Sequence, residues 1–159
     1  MFFLLSWSQN KAVKVPVNSQ AKIEIPVVRA DLGQMKVQEE KYAEFKIKNI
    51  GSSPLKIYRV FTSCMCTFAK IFLKNPNSYS EFSGFNWVWS PAFSMQMHNS
   101  AEALRWQGEI QSQETAIVRV IYKPALMPVY GPVERSVVFS TNDPKNQQVE
   151  LIVKAFVQQ

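Results

Sequence analysis

Along most of the chain apolar and polar side chains alternate with a period of two, the signature of strands with one buried face. From Ala43 the apolar positions Ala43, Phe45 and Ile47 alternate with Glu44, Lys46 and Lys48. Gly51-Ser52-Ser53-Pro54 interrupts the rhythm with turn-forming residues, and a second strand is expected over 55–62. Upstream, Lys22 to Val28 reads as a strand through Ile23, Ile25 and Val27. Pro26, which cannot donate to a ladder, puts that strand on a sheet edge. Ala12 to Val17, containing Pro16, reads as a further short edge strand. Downstream, 114–123 sets Val118, Val120 and Tyr122 against Ile117, Arg119 and Ile121, and Pro124 ends it. The segment 134–141 follows, then the turn Asn142-Asp143-Pro144, then 149–157. The last strand carries no proline and is expected to offer an open edge to a partner.

About seven strands without convincing helices predict an all-β, immunoglobulin-like Greek-key sandwich. The domain is expected over 22–159, after an N-terminal segment 1–21. Phe45, Ile47, Val118, Val120, Phe139 and Leu151 are the expected core. Residues 74–110 depart from the strand rhythm and read as an aromatic-rich insertion carrying Phe82, Phe85, Trp87, Trp89 and Phe93. Ser100 to Trp106 fits one or two helical turns, with Ser100 as cap. A long excursion in a compact domain is usually functional. Its aromatics either cover an end of their own sandwich or form a docking surface for a protein partner.

The chain has 159 residues, enough for one domain with a real core. Hydrophobic residues make up 47% and charged residues 19%, which excludes wholesale disorder. The net charge of +6 sits in the first half, where residues 1–80 hold 12 Lys/Arg against 5 Asp/Glu. Lys36, Lys41, Lys46, Lys48 and Lys56 are interleaved with apolar positions, as on a solvated strand face, so no nucleic-acid partner is expected. The start, Met1-Phe-Phe-Leu-Leu-Ser-Trp, lacks the basic region of an export signal. It reads as the remnant of a longer signal or as a docked terminus, which leaves membrane association through this segment open. Catalytic constellations are absent: there are five glycines with no phosphate loop, and one histidine with no partner at a motif spacing. Glu39, Glu40 and Glu134 are scattered on polar strand faces or at strand ends. The reading is therefore a non-catalytic binding or scaffolding module.

Two cysteines, Cys64 and Cys66, flank Met65. On extended backbone they share one face, where two sulfurs can grip a soft ion such as Cu(I). Met95, Met97 and His98 supply two thioethers and an imidazole. Copper held by Cys64, Cys66, His98 and one of Met95 or Met97 is the alternative function. The plainer account makes the cysteines small buried residues and the methionines gap fillers. A third reading joins Cys64 to Cys66 as a disulfide with a thiol-redox role.

Three motifs stand in order: Asn49-Ile50-Gly51-Ser52-Ser53-Pro54-Leu55-Lys56-Ile57, Ser63-Cys64-Met65-Cys66-Thr67, and Thr141-Asn142-Asp143-Pro144. Over roughly 38–157 the chain resembles a bacterial domain-of-unknown-function family marked by N-x-G-x-x-P-L-x-I, S-C-x-C-T and T-N-D-P. That family looks related to the ASH and major-sperm-protein domains, which are immunoglobulin-like. This chain departs from it at Gln111-Ser112-Gln113-Glu114, where relatives often carry Pro-Gly-Glu, and in the enlarged aromatic stretch. The resemblance implies an exported, periplasmic or envelope-facing protein, with a cytoplasmic one as the alternative, and no established activity.

Overall fold

The computed structural model describes residues 12–80 and 84–159, with the backbone alone at 75–80 and 84–86. Among these residues eleven strands form two sheets: β1 (Ile23–Glu24), β2 (Arg29–Lys36), β3 (Lys41–Asn49), β4 (Leu55–Thr62), β5 (Thr67–Ser80), β6 (Gly84–Trp89), β7 (Phe93–Ser94), β8 (Gln107–Ile110), β9 (Thr115–Tyr122), β10 (Gly131–Thr141) and β11 (Gln148–Gln158). A short helix, α1 (Ala101–Arg105), precedes β8. The first sheet runs β1-β3-β9-β5-β6, with β7 also paired to β5, and the second runs β2-β11-β10-β4-β8. The fold is thus the expected all-β immunoglobulin-like sandwich.

The period-two strands bury the faces their sequence marks. In β9, Ala116, Val118, Val120 and Tyr122 point inward while Thr115, Ile117, Arg119 and Ile121 stay half-exposed. Phe45, Ile47, Val118, Val120, Phe139 and Leu151 all lie within the main cluster between the sheets. A second, smaller cluster closes one end of the sandwich with Met35, Cys64, Cys66, Tyr122, Val133, Ala155 and Val157.

Strand β4 changes phase midway. Leu55 and Ile57 point inward, then Val60 and Thr62, so Phe61 is turned to the surface. The cause is a register shift against β10 between Val138 and Ser140, with Arg59 opposite it at φ 52. Such a bulge places two residues against one and re-aims the side chains beyond it.

Several expected boundaries are corrected. Residues 12–17 form no strand, and their placement is fixed by Val13 N–H donating to Leu104 O at 3.0 Å. The strand expected over 22–28 shrinks to the two residues of β1, and Val27 and Val28 are exposed. The chain pairs again only after Pro26, as β2, which lies parallel to β11. That pairing overturns the open C-terminal edge, because β11 is enclosed between β2 and β10. The stretch 74–110 is no irregular excursion. It extends β5, adds β6 and β7, and supplies β8 to the other sheet. Helix α1 forms where the sequence places it, with Ser100 Oγ accepting from Ala103 N–H at 3.1 Å. Among the described residues no helix is long and apolar enough to cross a membrane.

Candidate functional site

The three motifs fall at opposite ends of β4. At its start, Asn49 Nδ2 donates to Ser53 O (2.8 Å) and Ile110 O (2.9 Å), while Asn49 Oδ1 accepts from Gly51 N–H. A Cβ on Gly51 would collide with the Gln20 carbonyl and stand 2.7 Å from Lys22 N, so only glycine fits. Asn142 reaches the same turn by donating to Pro54 O (3.1 Å). Asp143 Oδ2 accepts from Ile23 N–H (3.0 Å) and Asn146 Nδ2, and its Oδ1 accepts from Lys145 N–H. Burial pushes the Asp143 carboxyl up, but these donors together hold it below its ordinary range. The N-x-G-x-x-P and T-N-D-P motifs are therefore one structural clasp, with their polar groups turned to backbone.

The S-C-x-C-T motif lies at the far end of β4. Thr62, turned inward by the bulge, donates from Oγ1 to Cys64 O at 3.1 Å and so shapes the loop. Thr67 N–H donates to Cys64 O and Lys123 N–H to Cys66 O, anchoring the loop to the end of β9. Cys64 and Cys66 are joined as a disulfide. Cys66 is fully buried, Cys64 is 8% exposed, and Met65 between them projects at 41%.

Three donors meet the two sulfurs. Arg135 Nε donates to Cys66 Sγ at 3.2 Å, from β10. Cys66 N–H points at Cys64 Sγ at 3.0 Å. Thr67 Oγ1 lies 3.9 Å from Cys64 Sγ and 3.7 Å from Cys66 Sγ. Tyr122 belongs to the same buried cluster, and its hydroxyl has no hydrogen-bond partner among the described residues. The Arg135 guanidinium sits over the Tyr122 ring at 5.6 Å.

The expected copper set is not gathered into one place. Both sulfurs face Thr67 and Cys66 Sγ also faces Arg135, whereas Met97 packs against the main core. Met95 is exposed, and His98 lies at the surface with its ring 6.2 Å from Phe61 and Nδ1 3.3 Å from Met95 O. The two segments meet at Met65, whose Sδ accepts from Gln96 Nε2 at 3.7 Å. Arg135 was not legible as a partner of Cys66, since it reaches it from β10 only through strand pairing. Thr67 was legible, being part of the motif itself.

The aromatic candidates also divide. Phe93 is a core residue, fully buried and edge-on to Trp106 at 5.0 Å, which removes it from any docking surface. Phe82 lies outside the described residues, as does the Phe85 side chain. Trp87 and Trp89 are exposed on β6, at the margin of the first sheet. Phe72 stacks on Trp87 at 5.2 Å and meets Trp89 at 4.8 Å. Arg119 lies over Trp89 (4.6 Å) and Tyr42 (4.3 Å) while donating to Glu44. Lys74 lies over Trp87 and also pairs with Glu114 at 2.8 Å, beside a cleft of about 290 Å³ lined by Leu73, Ile110 and Ala116. The margin is thus apolar rings alternating with cations.

No curated protein matches the chain. Among solved structures, a protein of unknown function from Porphyromonas gingivalis W83 is similar with a TM-score of 0.57 and 17% identity, over 88% of this chain and 49% of that one. This chain therefore spans about half the length of that relative. The ASH / PapD-like domain 7 of human CEP192 is similar with a TM-score of 0.50 and 13% identity, over 94% and 92%. Part of a family 123 glycoside hydrolase from Clostridium perfringens is similar with a TM-score of 0.50 and 10% identity, over 87% and 27%. At these identities the likeness is one of fold, and a fold carries many functions. In sequence, residues 23–78, from β1 through the C-x-C loop into β5, match the family described as "Protein of unknown function (DUF1573)".

Proposed function

We propose that this domain is a non-catalytic protein-binding module of the cell envelope that docks a partner on the aromatic margin of its first sheet. One observation carries the reading: edge strand β6 exposes three consecutive apolar side chains, Trp87, Val88 and Trp89, at 42%, 37% and 37%. Adjacent residues on a strand face opposite ways, so both sides of this edge are apolar. Tryptophan and arginine are enriched where proteins meet, and each indole ring offers large rigid contact area. The cleft beside Lys74 adds an apolar recess next to that edge. An extended partner segment would add to β6 through main-chain hydrogen bonds and seat a side chain in the recess. Acidic residues in that segment would complement Lys70, which lies over Trp89 at 5.6 Å, together with Lys74 and Arg119. The envelope location rests on the motif resemblance, whose relatives are commonly exported.

The test is the double substitution Trp87→Ala, Trp89→Ala. The reading expects a drop in melting temperature of only a few degrees, from the lost stacking on Phe72, and loss of a protein that the unaltered domain captures from an envelope fraction. A large fall in melting temperature, of about 10 °C or more, with capture retained would assign the rings to covering their own sandwich.

A further inference from the structure

We propose that Cys64 and Cys66 form a reversible thiol–disulfide couple in which Cys64 is the attacked sulfur and Cys66 the leaving thiolate, held by Arg135. The proposal is independent of partner docking on β6. It rests on the mismatch between the disulfide and the groups around it. A disulfide sulfur is a weak acceptor, yet the pair is met by a guanidinium N–H, a backbone N–H and a threonine hydroxyl. Buried donors without good acceptors are costly, and a thiolate would satisfy them. A hydrogen bond to an ionised acceptor is roughly twice as strong as a neutral one. The surroundings thus favour the reduced pair more than a neutral pocket would.

The two sulfurs are also unequal. Cys66 is sealed and faces the cation, whereas Cys64 is the partly accessible one beneath exposed Met65. Exchange is governed by which sulfur can be reached and by how well the other leaves. The thiolate of a small thiol or of a partner's cysteine attacks Cys64 Sγ. The Sγ–Sγ bond breaks and its electron pair passes to Cys66 Sγ, opposite Arg135. A second thiol, as its thiolate, attacks the added sulfur, and Cys64 leaves and takes up a proton from solvent. Two donor thiols leave as a disulfide and the protein pair gains two electrons. Arg135 is a positioning residue that steadies the leaving sulfur.

The experiment equilibrates the full chain in glutathione buffers and counts free thiols by the mass added on alkylation. Wild type is expected to titrate as one two-electron couple. Arg135→Gln is expected to shift the equilibrium toward the disulfide by about tenfold, one charge-assisted hydrogen bond, or about 30 mV. Arg135→Lys should recover part of the shift. Melting temperatures of the oxidised variants separate this effect from general damage. With single cysteines, Cys66→Ser should take up glutathione at Cys64, and Cys64→Ser should leave Cys66 unmodified. An equilibrium unmoved by Arg135→Gln, or faster glutathione uptake at Cys66 than at Cys64, would overturn the proposal.

Discussion

Lys56 and Asn142 meet across 86 residues of chain through one hydrogen bond, the Lys56 N–H donating to Asn142 Oδ1 at 2.8 Å. The same Asn142 amide donates to Pro54 O, so one side chain fixes both sides of the turn that starts β4. Asn142 is almost fully buried, and its loss would leave the Lys56 N–H and Pro54 carbonyl without partners. Asn142→Ala is expected to lower unfolding free energy by about 2–4 kcal/mol, from two orphaned groups at about 1–2 kcal/mol each. Urea unfolding followed by fluorescence would read it. A loss below about 0.5 kcal/mol, the range of neutral surface changes, would contradict the clasp.

Gly51→Ala acts on the same clasp by collision. The added methyl would strike the backbone at Gln20 and Lys22, which cannot rotate away as a side chain can. A cost of about 1–3 kcal/mol is expected, as for overpacking in a tight site. Hydrogen exchange should show the damage concentrated at 18–23, where the Ser52 and Ser53 N–H groups tie to Gln20 O.

Asp143 gives the clasp a pH dependence. Its folded carboxyl lies below its ordinary value, so ionisation stabilises the native state. That contribution is complete above the unfolded carboxylate range, about pH 4, and is lost as pH falls through the lowered folded value. Asp143→Asn should therefore be less stable at neutral pH, and the gap from wild type should narrow on acidification. A gap that stays constant from neutral pH to about pH 2 would remove the carboxylate from the account.

Phe93 and Trp87, close in sequence, should respond unequally. Phe93 is sealed in the core, and Phe93→Ala is expected to cost about 3–5 kcal/mol. Trp87 is exposed and stacked on Phe72, and Trp87→Ala is expected to cost about 0.5–1.5 kcal/mol. Thermal unfolding of the two variants side by side would decide the order.

The alternating strands were legible because burial on one face imposes its period directly on the residues. β3, β4, β9, β10 and β11 all announce themselves this way. β2 did not: Arg29-Ala-Asp-Leu-Gly-Gln-Met-Lys36 has few apolar residues, and Gly33 at φ 71, with Asp31 Oδ1 accepting its N–H, breaks the pleat. Its strand character comes from pairing with β11, more than a hundred residues away. The apolar run through Val27 and Val28 misled for the converse reason, since exposed apolar residues carry no periodic constraint. At the C-x-C end, the motif exposed Thr67 but not Arg135, whose approach is set by register. Phe93 looked like its aromatic neighbours, and only the pairing of Ala69 with Phe93 shows that it turns inward.

The enclosed position of β11 bears on how the protein is born. The ribosome makes Gln148–Gln158 after every other described strand, yet β2 and β10 flank the slot it fills. Until those residues leave the exit tunnel, the nascent second sheet carries a gap one strand wide, with an apolar lining and unpaired amides on both sides. Distant pairings of this kind close late and slowly, so the emerging chain is a natural client for a holding chaperone.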